Sequence, residues 1–206
     1  KIKNHLDINS ISYEDLTDNT DLIAVQGKTA ISIIEEMMLI PNKFSTSKDS
    51  KYTYARTGYT GEDGVEVMLD QKDTLHFIEK LEAKGVMPCG LGSRDTLRLE
   101  ASLPLYGFEL TDNITPVEAG LKWTLSNKSD YIGKNVIDEQ LSSKNHKYLK
   151  KFKLNAKQIA RTGTPCKSNN VSGIVTSGNI SPILGHPIGF TLFETNPSDN
   201  LVEFDI

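Results

Sequence analysis

Hydrophobic and polar positions recur with two different periods along this chain, and the switches between them outline its elements. The apolar run "DLIAVQG" (21–27), closed by glycine, predicts a strand. In "KTAISIIEEMM" (28–38), Ile31, Ile34 and Met38 recur at helical spacing, and Pro41 stands just past the end, where prolines collect. "PNKFSTSKDS" (41–50) is polar and turn-rich, the pattern of a loop or a domain crossing. "KYTYARTGYTGEDGVEVML" (51–69) reads as two strands around a glycine-rich connection. A helix is predicted over 70–85, with Asp70 or Asp73 as its cap, Leu75, Ile78 and Leu81 as its apolar stripe, and Gly85 suited to the left-handed turn beyond it. Residues 86–103 run from an extended piece through Gly90 and Gly92 into another helix. A loop-rich zone follows (104–126), then a helical stretch over 130–147.

Beyond the lysine-rich "NHKYLKKFKL" (145–154) the period changes to that of short strands: "YLKKFKL", "GIVTSG", "PIGFTLF" and "LVEFDI", separated by Gly, Pro, Asn and Ser. The expected fold class is therefore α+β: a mixed α/β region over about 1–145, then a small C-terminal β-barrel or sandwich over 146–206. The chain starts at Lys1 without methionine and stops within a strand-like run, so it is expected to be a piece of a longer protein.

Composition changes this picture little. The 206 residues are 37% hydrophobic and 24% charged, ordinary for a globular protein. A net charge of -4 argues against a general nucleic-acid binder, which needs basic surface. No apolar run approaches the roughly 18 residues of a membrane span. Cys89 and Cys166 are far apart, which suits a reducing compartment better than a disulfide framework. None of His5, His76, His146 and His186 forms a metal-ligand spacing with another histidine or a cysteine.

Candidate chemistry concentrates around "YARTGYTGEDGVEV" (54–67). It is neither a P-loop nor a Rossmann turn, because its glycines run into a strand rather than a helix. Gly58, Gly61 and Gly64 suit a hairpin connection where φ is positive or backbones crowd. Glu62 and Asp63 read as solvated turn residues. Glu66 is the odd charge. With Val65, Val67 and Leu69 on one face, it shares the other with Met68. There it either meets solvent, the commoner arrangement, or faces a pocket and accepts two adjacent N–H donors. Arg94 and Arg98 lie four apart on one helical face, with Asp95 and Glu100 as candidate partners. They form either an ion-pair-laced surface or, near the helix start after "GLG", an anion contact. Trp123 is either a core residue or a flat wall for a planar ligand.

Four blocks, "RTGYTGEDGVEV", "GVMPCGLGSRDTLRLEASLPLYGFEL", "TPVEAGLKWT" and "SGIVTSGNISP", together resemble the folate-binding aminomethyltransferase (T-protein) family of the glycine cleavage system. They stand in the family's order and close to its spacing. "LIAVQGKTA" is similar to the family's strand–helix entry, with Lys28 where proline is usual. The resemblance implies three domains around a tetrahydrofolate site. Residues 1–42 would be the remainder of a first α/β domain, 43–145 a second α/β domain with the folate motifs, and 146–206 an incomplete barrel.

The resemblance also implies a reaction. A lipoyl carrier (H-)protein presents an S-aminomethyl group, and tetrahydrofolate takes its methylene carbon to give 5,10-methylenetetrahydrofolate with release of ammonia. By the same likeness, Glu66 would grip the pterin, Arg94 would contact folate and Trp123 would wall the pocket. Tyr59, in the same motif as Arg56, would join the folate-binding set. No catalytic residue is expected in this chain, since the family's aspartate would lie upstream of Lys1. The implied partners are the carrier protein and other glycine cleavage components, with no nucleic acid and no membrane. The implied location is a bacterial cytoplasm, or a mitochondrial matrix in a eukaryote. A related folate-dependent demethylase and a non-catalytic folate-binding relative are the alternatives. The latter group's "KGCYxGQE"-type stretch is replaced here by "RTGYTGEDG".

Overall fold

The computed structural model describes residues 11–155, 158–168 and 170–198, and the backbone of 201–202. The chain divides into two compact units, one of Lys1–Gly58 and Glu62–Pro88, the other of Tyr59–Gly61 and Cys89–Ile206.

The first unit contains β1 (Thr20–Gln26), α1 (Ala30–Glu35), β2 (Thr46–Lys48), β3 (Tyr52–Ala55), β4 (Gly64–Asp70) and α2 (Gln71–Ala83). Its sheet has the order β1-β4-β3-β2 and is antiparallel throughout. The alternation expected in β4 holds: Val65, Val67 and Leu69 are buried, while Glu66 and Met68 take the other face. The buried side joins Val25 and Tyr54 to Ile34 of α1 and to Phe77 and Leu81 of α2 in one core. Each such side chain contributes roughly 1.5–3 kcal/mol by leaving water. The opposite face keeps Leu22, Ala24 and Met68 exposed.

Asp70 caps α2 by accepting from the Lys72 N–H, and Gly85 has a φ of +80°. Three local expectations are corrected. Leu75 is 68% exposed, and Phe77 is buried instead, because it lies one turn before Leu81 on the inward face while Leu75 points to another side of the helix. The helix expected over 28–38 ends at Glu35, although Met38 stays buried in the turn that follows. The segment read as a loop over 41–50 contains the short strand β2.

The second unit contains α3 (Leu91–Glu100), α4 (Lys134–Ser143), β5 (Tyr148–Lys153), β6 (Pro165–Ser168), β7 (Val171–Ser181), β8 (His186–Phe193) and β9 (Leu201–Val202). The sheet order is β6-β7-β8-β5-β9, antiparallel except where β5 meets β9. The C-terminal strands were expected to close into a barrel. Among the described residues they form an open sheet instead, since the edge strands β6 and β9 are short and do not pair with each other. Residues 203–206 of "LVEFDI" lie outside the described residues.

One side of this sheet builds a core from Phe152, Leu154, Cys166, Val175 and Phe193. The other side packs Ile188 and Phe190 against Leu99 of α3. A β-bulge in β7 mediates the change of face. Val175 pairs with Thr191 and Ser177 with Phe190, leaving Thr176 as the extra residue.

Candidate functional site

The glycine-rich connection of the first unit is shaped by close approach. A Cβ on Gly64 would stand 2.2 Å from the Val25 carbonyl oxygen, and one on Gly58 would strike the Gln26 amide. That amide enters the connection from β1, its Nε2 donating to the carbonyl oxygens of Thr57 and Val65. It thereby fixes the backbone at Thr57, whose hydroxyl donates to Glu66 Oε2 at 2.6 Å. Glu66 is half-buried between Ala24 on β1 and Ala55 on β3. These small neighbours leave the carboxylate raised on a low apolar surface, and among the described residues no cation pairs with it.

Asp63 is more than a solvated turn residue. Arg56 donates to both its oxygens, Nε to Oδ1 at 3.2 Å and Nη2 to Oδ2 at 2.8 Å, and the Gly64 N–H adds a third contact. The Arg56 hydrogen bonds hold the Asp63 carboxyl below its usual range. The pair braces the connection in the unit that carries Glu66.

In the second unit, the two arginines of α3 separate cleanly. Arg98 is 2% exposed. Its guanidinium forks onto Asp95 Oδ1 and donates to Glu109 Oε2 at 3.0 Å. Glu109, fully buried, also accepts from the Leu105 N–H at 2.9 Å and from the Thr176 hydroxyl at 2.5 Å. The bulge in β7 is what brings Thr176 to this carboxylate. Glu100, the other candidate partner, instead accepts from the Ser181 hydroxyl and from the Ile183 N–H at 3.3 Å.

Arg94 has no carboxylate partner among the described residues. Its guanidinium lies over the Tyr59 ring, 5.0 Å from the centroid. The Tyr59 hydroxyl donates to the Pro104 carbonyl at 2.5 Å, and burial raises its pKa against the opposing pull of Arg98 and Arg94. Tyr59 and Arg94 line a cavity of about 470 Å³ within this unit, with Leu91, Leu105 and Phe108 as its apolar wall. Asp95, Arg98, Arg161, Thr162, Ser177 and Gly178 complete its lining, so the Asp95–Arg98 pair also borders the cavity. An apolar wall set opposite convergent polar groups is the arrangement of small-molecule sites.

Of the four expected folate-binding residues, the structure brings Tyr59 and Arg94 together. Glu66 belongs to the other unit. Trp123 sits in a single 3-10 turn (Lys122–Thr124), is 81% exposed, and is not part of the cavity wall. It is therefore not a core residue. Sequence reasoning missed Gln26, Thr57, Glu109 and Arg161. Glu109 did carry a signal, a lone carboxylate between Phe108 and Leu110. Arg161 carried none.

The description "GCVT N-terminal domain" matches residues 1–129. An aminomethyltransferase of Nostoc sp. is 41% identical over 198 residues, covering 91% of this chain and 53% of that protein. The Bacillus subtilis aminomethyltransferase is 39% identical over 205 residues, covering 92% and 57%. The crystal structure of the glycine cleavage system aminomethyltransferase T from Bartonella henselae superposes with a TM-score of 0.77 at 29% identity. That match covers 84% of this chain and 51% of the other. The chain spans about half the length of the curated relatives it matches.

Proposed function

The chain belongs to the GCVT N-terminal domain family, and on that premise we propose that the whole protein is a tetrahydrofolate-dependent aminomethyltransferase of the glycine cleavage system. The observation that carries the reading is Glu66: a half-buried carboxylate between two alanines, with one hydroxyl partner and no cation among the described residues. One oxygen is engaged by Thr57, so acceptor capacity remains for a ligand that presents paired N–H donors, as a pterin does. The donor set therefore fits the folate.

In this reading the folate supplies the one-carbon acceptor chemistry and the chain's own residues bind and orient it. Glu66 takes the pterin donors, with its rotamer set by Thr57. Arg94 supplies positive charge beside the apolar wall of Leu91, Leu105 and Phe108. Tyr59 lies against Arg94, and the exposed Trp123 offers a flat face. We assign binding roles and no bond-making role to the residues of this chain. The three-part division at 42 and 145, with 146–206 as an incomplete barrel domain, belongs to the same reading. So do the lipoyl carrier as partner and the bacterial cytoplasm as location. No helix among the described residues is long and apolar enough to cross a membrane.

The test is transfer by the whole protein from an aminomethylated lipoyl carrier to tetrahydrofolate, followed as ammonia release. Turnover that depends on both partners supports the reading. Turnover only with dimethylated amines or sulfonium compounds would replace it with a folate-dependent demethylase.

A further inference from the structure

Tyr59 occupies the cavity wall in an unusual way: both of its ends are committed to the protein. Its hydroxyl donates to the Pro104 carbonyl at 2.5 Å and lies 3.4 Å from that of Leu103. Its ring face carries the Arg94 guanidinium. The carbonyls that hold it are themselves fixed. Leu103 accepts from Arg98 Nη1 at 3.3 Å, and the neighbouring Leu105 N–H donates to Glu109, the partner of Arg98. A continuous set of contacts thus runs from the buried Arg98–Glu109 pair, through the backbone of 103–105, to the Tyr59 ring and to Arg94. Arg94 has no carboxylate partner among the described residues, so the ring is what restricts where its long side chain points.

From this geometry we infer that Tyr59 is a positioning residue for Arg94. It holds the guanidinium toward the cavity before an anionic group arrives, and it makes no contribution to binding except through Arg94. The inference rests on the proposed folate reading, because it takes the carboxylate-bearing folate as the ligand of Arg94. Restricting the side chain in advance lowers the ordering cost at binding. Tyrosine suits the task, since its rigid ring presents a quadrupole to the cation and its hydroxyl anchors the far edge.

The test is a double-mutant cycle on the whole protein with tetrahydrofolate as the probe, its Kd read by calorimetry. Tyr59→Leu is expected to weaken binding about five- to tenfold in the parent. In an Arg94→Ala background it is expected to cost less than about twofold, because nothing is left to position. Tyr59→Phe keeps the ring, and is expected to stay within about threefold of the parent. Additive costs for Tyr59→Leu and Arg94→Ala would overturn the inference, since Tyr59 would then touch the ligand itself. An effect of Arg94→Ala with none of Tyr59→Leu would overturn it too, leaving the folate reading intact. No effect of Arg94→Ala would remove the folate role of Arg94 and the inference with it. A merely structural Tyr59 would lower the melting temperature in both backgrounds and show no coupling to Arg94 in Kd.

Discussion

Two glutamates, one in each unit, show how differently a folded chain can treat the same charge. Glu109 is fully buried, and both its oxygens are occupied by Arg98, the Leu105 N–H and Thr176. Glu66 is half-buried with a single hydroxyl donor among the described residues. The first is a finished structural joint, because a buried charge without full partnering would be costly. The second keeps unused acceptor capacity on a surface of small side chains. The arginines of α3 repeat the contrast over one helical turn: both border the cavity, but Arg98 is enclosed by two carboxylates, while Arg94 rests on a ring. Saturated charges mark architecture here, and unsaturated ones mark where a ligand is to be sought.

The contrast can be broken most forcefully at Arg98. Arg98→Ala strands Glu109 without its cation and is expected to cost about 3–5 kcal/mol of stability, read as a lowered denaturant midpoint. Arg94→Ala is expected to change that midpoint by less than about 0.5 kcal/mol. Similar losses from both would show that burial and partner count do not separate the two residues. Glu66→Gln sharpens the other side. Charge-assisted hydrogen bonds are worth roughly 1.5–3 kcal/mol, so folate Kd is expected to rise about ten- to hundredfold with the melting temperature unchanged. An unchanged Kd would return Glu66 to the role of a solvated strand residue.

The smallest effect is expected at Asp63, whose carboxyl is held low by Arg56. A depressed folded-state pKa adds stability above the unfolded value of about 3.9, and that stability is lost as pH falls through the folded value. Asp63→Asn should therefore lower the unfolding midpoint slightly at pH 6. The difference from the parent should shrink towards pH 3 and in high salt. A difference that is constant with pH would mean the carboxylate charge plays no part in bracing the connection.

What the sequence disclosed was local. The Asp70 cap, the left-handed Gly85 and the alternation through β4 each depend on a few adjacent residues, and all are present. The stripe of α2 was misread because Leu75 and Phe77 both fit an apolar face, and only the packed sheet chooses between them. β2 and β6, at three and four residues, are too short to carry a period. Glu66 was singled out, yet its setting between Ala24 and Ala55 depends on strands that meet only in three dimensions. Asp95 was legible as a partner of Arg98, but Glu109 stayed hidden because it returns to Arg98 through an irregular turn, and Arg161 because its neighbours in space are far away in sequence.

The contact between Thr176 and Glu109 bridges 67 positions of chain. Contacts of that span wait on loop closure and on the hairpin that carries them, so this joint is expected to form after the local structure of α3. Until β7 arrives, Arg98 and Glu109 can pair in water at little cost. Once it has arrived, the carboxylate is sealed. The joint should then act chiefly as a latch against opening: weakening it at Thr176 would hasten unfolding far more than it slows folding. One hydroxyl, which the extra residue in β7 delivers, thus completes the enclosure of a carboxylate that borders the cavity wall.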